Sequence, residues 1–280
     1  MNMRIFLVII CIILGMLSCT KTPLPKKETP HKGPHKPLIP RPKRKIASCN
    51  EKPIVVAVID TGYGPSRTKE TRDFYNAALC KFGHKDFTDG VSTVDFRTVD
   101  EVPTDDHGHG THIAGLIDKY AKKGHTNFCL VIIKYYKKSA PEKANVDNTL
   151  KAIQYATRIH ADFINYSSGG SGDKAKSKLE IEAVKKYLDQ GGKFVAAAGN
   201  ESEDINDAPY YPAMDDDRVI VVGNGKSSKD HAKSSNYGDR VDAWEDGEDV
   251  LSYGQFMTGT SQSAAIHTGK MIAEIHNSCK

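Results

Sequence analysis

Apolar residues along the chain fall into two kinds of run. Ile54-Val55-Val56-Ala57-Val58-Ile59 is short, continuous and rich in β-branched side chains, the pattern of a strand buried on both faces. Leu130-Val131-Ile132-Ile133, Phe163-Ile164, Phe194-Val195-Ala196-Ala197-Ala198 and Val219-Ile220-Val221-Val222 repeat it. Between these runs the spacing changes to three and four. Leu150, Ile153, Ala156 and Ile159 mark one helix; Ile181, Val184 and Leu188 mark another, which Gly191-Gly192 is placed to stop. Strands alternating with helices predict an α/β fold with a mostly parallel sheet and helices on both faces, three layers in all. Ligands of such sheets bind beyond the carboxyl ends of the strands, so chemistry is sought just after each apolar run.

The first 48 residues do not share this pattern. Arg4 followed by the apolar stretch Ile5 to Leu17 reads as an export signal, too short to span a bilayer as a helix. Leu17-Ser18-Cys19 resembles a bacterial lipoprotein box, which predicts a signal peptide over 1–18 and lipidation of Cys19. A plain secretory signal is the alternative. Residues 19–48, rich in Pro and Lys, have almost no large apolar side chains and are expected to form an extended tether.

Charge follows the same boundary. Thr20 to Lys45 holds nine of the chain's 39 Lys and Arg and one of its 35 Asp and Glu, whereas Ile46 onward carries 29 basic and 34 acidic residues, a net of −5. A weakly acidic body argues against a nucleic-acid-binding domain, which would carry its basic stripe on the fold. Of the six cysteines, Cys11 belongs to the signal and Cys19 to the lipid site. Cys49, Cys80, Cys129 and Cys279 remain, an even number that suggests two disulfides in an exported protein. Joining Cys49 to Cys279 would tie down both ends of a body over 49–280 and leave Cys80 for Cys129; free thiols are the alternative.

Four motifs sit where the alternation places chemistry. Asp60-Thr61-Gly62 directly follows the first run, though an Asp there equally serves a turn. His109-Gly110-Thr111-His112 opens a small-residue helix, with glycines on both sides of His109 and an imidazole suited to general-base work near neutral pH. A metal site is not expected: His109 and His112 are three apart with no Glu between them, unlike the zinc signature, and His112 is expected to pack as a structural residue. Gly259-Thr260-Ser261 precedes a helical run, so Ser261 is either an N-cap or a nucleophile at a helix N-terminus. The G-x-S-x-G elbow is absent, because Ser263 occupies its second glycine position. Asn200 ends Ala197-Ala198-Gly199-Asn200, where its amide can serve an oxyanion or a turn.

Asp60, His109 and Ser261 in that order, with the residues around each, resemble the subtilase family from about Pro53 to the C-terminus. The resemblance implies a subtilisin-like fold and a serine endopeptidase. Asp60 would orient His109, His109 would take the proton of Ser261, and Asn200 with the Ser261 N–H would form the oxyanion hole. Ile164 to Gly170 is similar to the family strand whose end lines the primary specificity pocket, which assigns Ser167, Ser168 and Gly169 to substrate binding. Tyr211-Pro212-Ala213 and Ser235-Asn236-Tyr237-Gly238 are further family landmarks.

Several departures bear on substrate. Gln262-Ser263-Ala264-Ala265 replaces Met-Ala-x-Pro after the nucleophile, Ser168 replaces a Leu, and the acidic loop of Glu201, Glu203, Asp204 and Asp207 raises the prospect of basic P1 residues. The arm has no core, so folding without an attached prodomain, or with a separate helper, is expected. The chemistry needs no cofactor; structural calcium is compatible with the resemblance but no ligands are assignable. Expected partners are protein or peptide substrates and a membrane through the lipid, with no nucleic acid and a monomeric state. The alternative is a catalytically inactive subtilase fold that binds at the cell surface.

Overall fold

A computed structural model describes residues 52–64, 77–89, 102–124, 127–172 and 176–277. The signal, Cys19, the tether, Cys49 and Cys279 lie outside these residues. The main sheet contains β1 (Ile54–Asp60), β2 (Lys85–Asp86), β3 (Phe128–Lys134), β4 (Phe163–Tyr166), β6 (Lys193–Ala197), β8 (Ile220–Ser227) and β10 (Ala243–Glu245). Its order is β10-β8-β6-β4-β1-β3-β2 and every pairing along it is parallel, while β9 (Asp230–His231) adds to β8 antiparallel. All five predicted runs are strands of this sheet.

Strand geometry sends successive side chains to opposite faces, and both faces of the central strands are covered. Ala57, Ile59, Ile164, Phe194 and Val221 pack on one side with Ile153 and Ala156 of α2 (Glu142–Arg158) and with Val184 and Tyr187 of α3 (Lys178–Asp189). Val56, Val58, Leu130, Ile132 and Val195 pack on the other with Ile113 and Leu116 of α1 (His109–Ala121) and with Ala264, Ala265 and Ile272 of α4 (Thr260–Asn277). A strand covered twice has no solvent face to reserve for polar residues, hence the unbroken apolar run in β1. The predicted C-terminal stop of α3 is present: Gly191 is left-handed, at φ 84°, and its N–H donates to Leu188 O.

Cys80 and Cys129 form a disulfide between the segment before β2 and the start of β3, as expected from the sequence. Two small antiparallel pairs complete the fold: β5 (Gly170–Ser171) with β7 (Tyr210–Tyr211), and β11 (Val250–Ser252) with β12 (Gln255–Met257). This topology sets neighbouring carboxyl ends side by side. β1 ends at Asp60, its neighbour β4 is followed by Ser167, and the next strand β6 is followed by Ala198-Gly199-Asn200.

Candidate active site

Asp60 is 3% exposed, and its Oδ1 accepts from His109 Nδ1 at 2.8 Å and from the Thr61 N–H at 2.8 Å. The carboxylate therefore binds the turn that follows it and the imidazole together. Contact with His109 requires the first turn of α1 to lie against the end of β1. A methyl group at Gly110 would stand 2.5 Å from Gly62 O and 3.1 Å from Asp60 Cβ, so only glycine permits this approach. Burial alone would lower the pKa of His109, but the charge and hydrogen bond of Asp60, with the charge of Asp105, outweigh it and raise the pKa.

Asp105 is a part of this arrangement that sequence reasoning missed. Its carboxylate accepts from Thr61 Oγ1, the N–H groups of His107, Gly108 and Thr111, and Thr111 Oγ1, at 2.6–3.0 Å. Thr61 Oγ1 in turn accepts from the Gly110 N–H at 2.9 Å. One acidic side chain thus fastens the turn after Asp60 to the N-terminus of the helix that begins at His109. Asp105 stands three residues before Gly108, which holds the N-cap position, so the usual capping signal does not mark it in the sequence. Desolvation opposes ionisation of Asp105, yet the donors around it hold its pKa below the usual carboxylate value.

Ser261 occupies the second position of α4. Its Oγ donates to Ser167 O at 2.9 Å, while Ser167 Oγ donates to Ser261 O at 3.1 Å. The N-cap reading of Ser261 therefore does not hold. Asn200 does the capping instead, its Oδ1 accepting from the Thr260 N–H at 2.9 Å and from Thr260 Oγ1 at 3.2 Å. With Oδ1 committed, the Asn200 amide directs its N–H groups away from Thr260. Gln262 and Ser263 N–H both donate to Gly259 O, whereas among the described hydrogen bonds Ser261 N–H has no acceptor. Two donors thus remain for an oxyanion at a helix N-terminus, where the backbone dipole favours negative charge. Among the described residues no hydrogen bond joins Ser261 Oγ to His109. The hydroxyl rests on Ser167 O instead.

Below this surface, Asn165 Nδ2 donates to Ser167 Oγ and Asn165 Oδ1 accepts from Thr268 Oγ1, so β4 and α4 are locked together beneath Ser261. Ser168 is half-buried and its hydroxyl is engaged by Tyr135, while Gly169 is exposed. The Ser235–Gly238 landmark clamps the loop of Asn200. Asn236 accepts from the N–H groups of Glu201 and Glu203 and donates to Ala198 O and to Glu201 Oε2, the last at 2.7 Å.

His112 and His84 have structural partners. His112 is 1% exposed and its Nε2 donates to Val250 O at 2.9 Å. His84, fully buried, donates from Nε2 to Cys80 O and accepts the Ile132 N–H at Nδ1. Among the described residues no group of three or more His, Cys, Asp or Glu is placed to hold a metal ion, and no calcium ligands are assigned.

The Subtilase family (Peptidase_S8) matches residues 51–277. The major intracellular serine protease of Bacillus subtilis (strain 168) is 30% identical over 247 residues, which cover 84% of this chain and 72% of that one. The minor extracellular protease Epr of the same organism is 29% identical over 236 residues; there 81% of this chain spans only 32% of the relative. Among solved structures, a cold-adapted subtilisin-like serine proteinase superposes with a TM-score of 0.61 at 24% identity, covering 80% of this chain and 75% of the other, which supports the fold. A parallel sheet with helices on both faces, a family match across the whole body and serine proteases as relatives lead to one conclusion: the chain belongs to the subtilase family and is a subtilisin-like serine endopeptidase.

Proposed function

We propose that Ser261 is the nucleophile, His109 the general base and acid, and Asp60 the group that orients His109. The observation that carries this is the 2.8 Å bond from His109 Nδ1 to a buried Asp60 oxygen. It fixes the tautomer with the proton on Nδ1 and leaves Nε2 free to accept the Ser261 proton. Attack of Ser261 Oγ on the scissile carbonyl carbon places negative charge on the carbonyl oxygen, which Asn200 Nδ2 and the Ser261 N–H receive. His109 then protonates the leaving amine, and water hydrolyses the acyl-enzyme by the same steps in reverse roles. Side chains alone supply this chemistry, and no cofactor enters it. Substrates are proteins or peptides, bound in extended form along the segment of Ser167, Ser168 and Gly169.

A fluorophosphonate probe tests the assignment. Labelling of the wild-type chain, lost in Ser261→Ala and strongly reduced in His109→Ala, is the expected result. An unlabelled wild type would instead support the inactive surface-binding reading.

The relatives include both an intracellular and an extracellular protease, so the compartment rests on the N-terminal sequence. The signal stretch, Cys19 and the basic tether support an enzyme held at a bacterial membrane by acylated Cys19, acting as a monomer on substrates within reach of its arm. Among the described residues no helix is long and apolar enough to cross a membrane. Labelled fatty acid should enter the wild-type chain and not Cys19→Ser. Incorporation into neither would leave the secreted form.

A further inference from the structure

With Ser261 as nucleophile, the position of the substrate side chain next to the scissile bond follows from the site. The carbonyl carbon must lie over Ser261 Oγ and its oxygen toward Asn200. The P1 side chain then points into the crevice between the segments that follow β4 and β6. Their walls are Ser167-Ser168-Gly169 on one side and Ala198-Gly199-Asn200 on the other. The two segments stand close because β4 and β6 are paired neighbours, with Tyr166 opposite Ala196.

That crevice is filled by the ring of Tyr210. A methyl group at Gly169 would overlap Tyr210 Cε1, and one at Gly199 would stand 2.7 Å from Tyr210 Cε2. The two edges of one ring therefore touch both walls, and glycine on each side is what admits it. The ring is not a surface flap. Tyr210 is 6% exposed and packs in the same apolar cluster as Tyr135, Tyr166, Ile205 and Ala213. Its backbone is fixed by β7, where Ser171 lies opposite Tyr210 and Gly170 opposite Tyr211, and its carbonyl accepts from the Met214 N–H at 2.9 Å.

We infer that Tyr210 is the specificity-determining residue of this peptidase: its ring occupies the P1 crevice and restricts P1 to Gly, Ala or another residue of that size. A Leu, Phe or Arg side chain would have to displace a ring packed against two backbone walls, and overpacking of this kind is strongly disfavoured. The acidic loop does not reverse the preference. Glu201 is engaged by Asn236, and a long basic side chain would meet the same ring before reaching any carboxylate.

The inference rests on the catalytic reading of Ser261, and the test separates the two. Full-length wild type and the variants Tyr210→Phe, Tyr210→Ala and Tyr210→Gly would be assayed on tetrapeptide anilides that differ only at P1, as Gly, Ala, Leu, Phe or Arg. Active sites would be counted by fluorophosphonate labelling, so that misfolded enzyme does not enter the rates. Wild type and Tyr210→Phe should favour Ala over Phe at P1 by at least about 100-fold in kcat/KM. Tyr210→Ala and Tyr210→Gly should reduce or invert that ratio by gaining activity on Leu and Phe. Labelled wild type that cleaves Phe or Arg substrates as fast as Ala overturns the inference and leaves the catalytic assignment standing. An unchanged ratio in both small variants does the same. Wild type that takes no label overturns the catalytic assignment, and this inference falls with it.

Discussion

His109 and Asn200 each do two things at once, and the two roles can be separated by substitution. With His109 as the proposed general base, catalysis needs its neutral form, so kcat/KM should rise with pH through the His109 pKa. Asp60 holds that pKa above 6.5 by favouring the protonated ring, so Asp60→Asn should move the midpoint of the rise to lower pH. The same change should reduce kcat by roughly 10⁴-fold, because an amide no longer enforces the Nδ1–H tautomer. A pH–rate profile with an unshifted midpoint would mean that another group governs the rise. At Asn200 the oxygen caps α4, and in the proposed mechanism the amide N–H groups serve the oxyanion. Asn200→Asp retains the cap acceptor and replaces the donor by a negative charge. It should lower kcat by at least roughly 10²–10³-fold, the usual effect of deleting one oxyanion donor, with little change in KM. Urea unfolding of this variant should stay close to wild type.

At the scale of elements, the site depends on how firmly β1, α1 and α4 hold their ends together. Asp105 joins the first two through five hydrogen bonds, and an isosteric Asp105→Asn loses the charge that strengthens them. The expected outcome is a fall in kcat larger than any rise in KM, with a loss of stability of about 1–3 kcal/mol by urea unfolding. The disulfide acts further out. Cys80 and Cys129 are 49 residues apart, and closing a loop of that length stabilises the fold by about 4 kcal/mol in the chain-entropy account. Cys80→Ser with Cys129→Ser should show a loss of that order. The strands buried on both faces, the amphipathic helices and the helix start at His109 could all be read from the sequence, since each leaves a local signature: an unbroken apolar run, a three-and-four spacing, a glycine-flanked histidine. Asp105 and Tyr210 could not be read so easily. Asp105 resembles any acidic residue before a helix until its five donors are seen. Tyr210 precedes a recognised landmark, but the two glycines it touches are 41 and 11 residues away. The two-residue strands are too short to carry any periodicity.

Across the whole molecule, the response of stability to pH should be set by two buried carboxyls, Glu180 and Asp215. Glu180, near the start of α3, is buried, and desolvation together with the charge of Asp215 pushes its pKa up to about 8. Asp215 is also buried, and among the described residues neither of its carboxylate oxygens has a hydrogen-bond partner. Desolvation pushes its pKa up to about 7, with Asp216 adding to the rise and Lys176 and Lys185 opposing it. The charge of Glu180 in turn raises the pKa of the Tyr135 and Tyr166 phenols. The sign follows from proton counting. In the unfolded chain both carboxyls ionise near their ordinary values of 4.5 and 3.8, so above those values the folded state binds more protons than the unfolded one. The stabilising contribution is therefore complete below about pH 4. It is lost as pH rises toward 7 and 8, each group adding a slope of up to about 1.4 kcal/mol per pH unit in that window. His109 contributes in the same direction on the alkaline side, since its folded pKa is also raised. Urea midpoints recorded between pH 4.5 and 8.5 on Ser261→Ala, which cannot digest itself, should decline across that range. Adding Glu180→Gln with Asp215→Asn should flatten the decline, because a buried amide has no proton to lose. If the doubly substituted protein retained the full decline, the slope would have to come from other groups, and the two carboxyls would be ionised and accommodated in the fold at neutral pH.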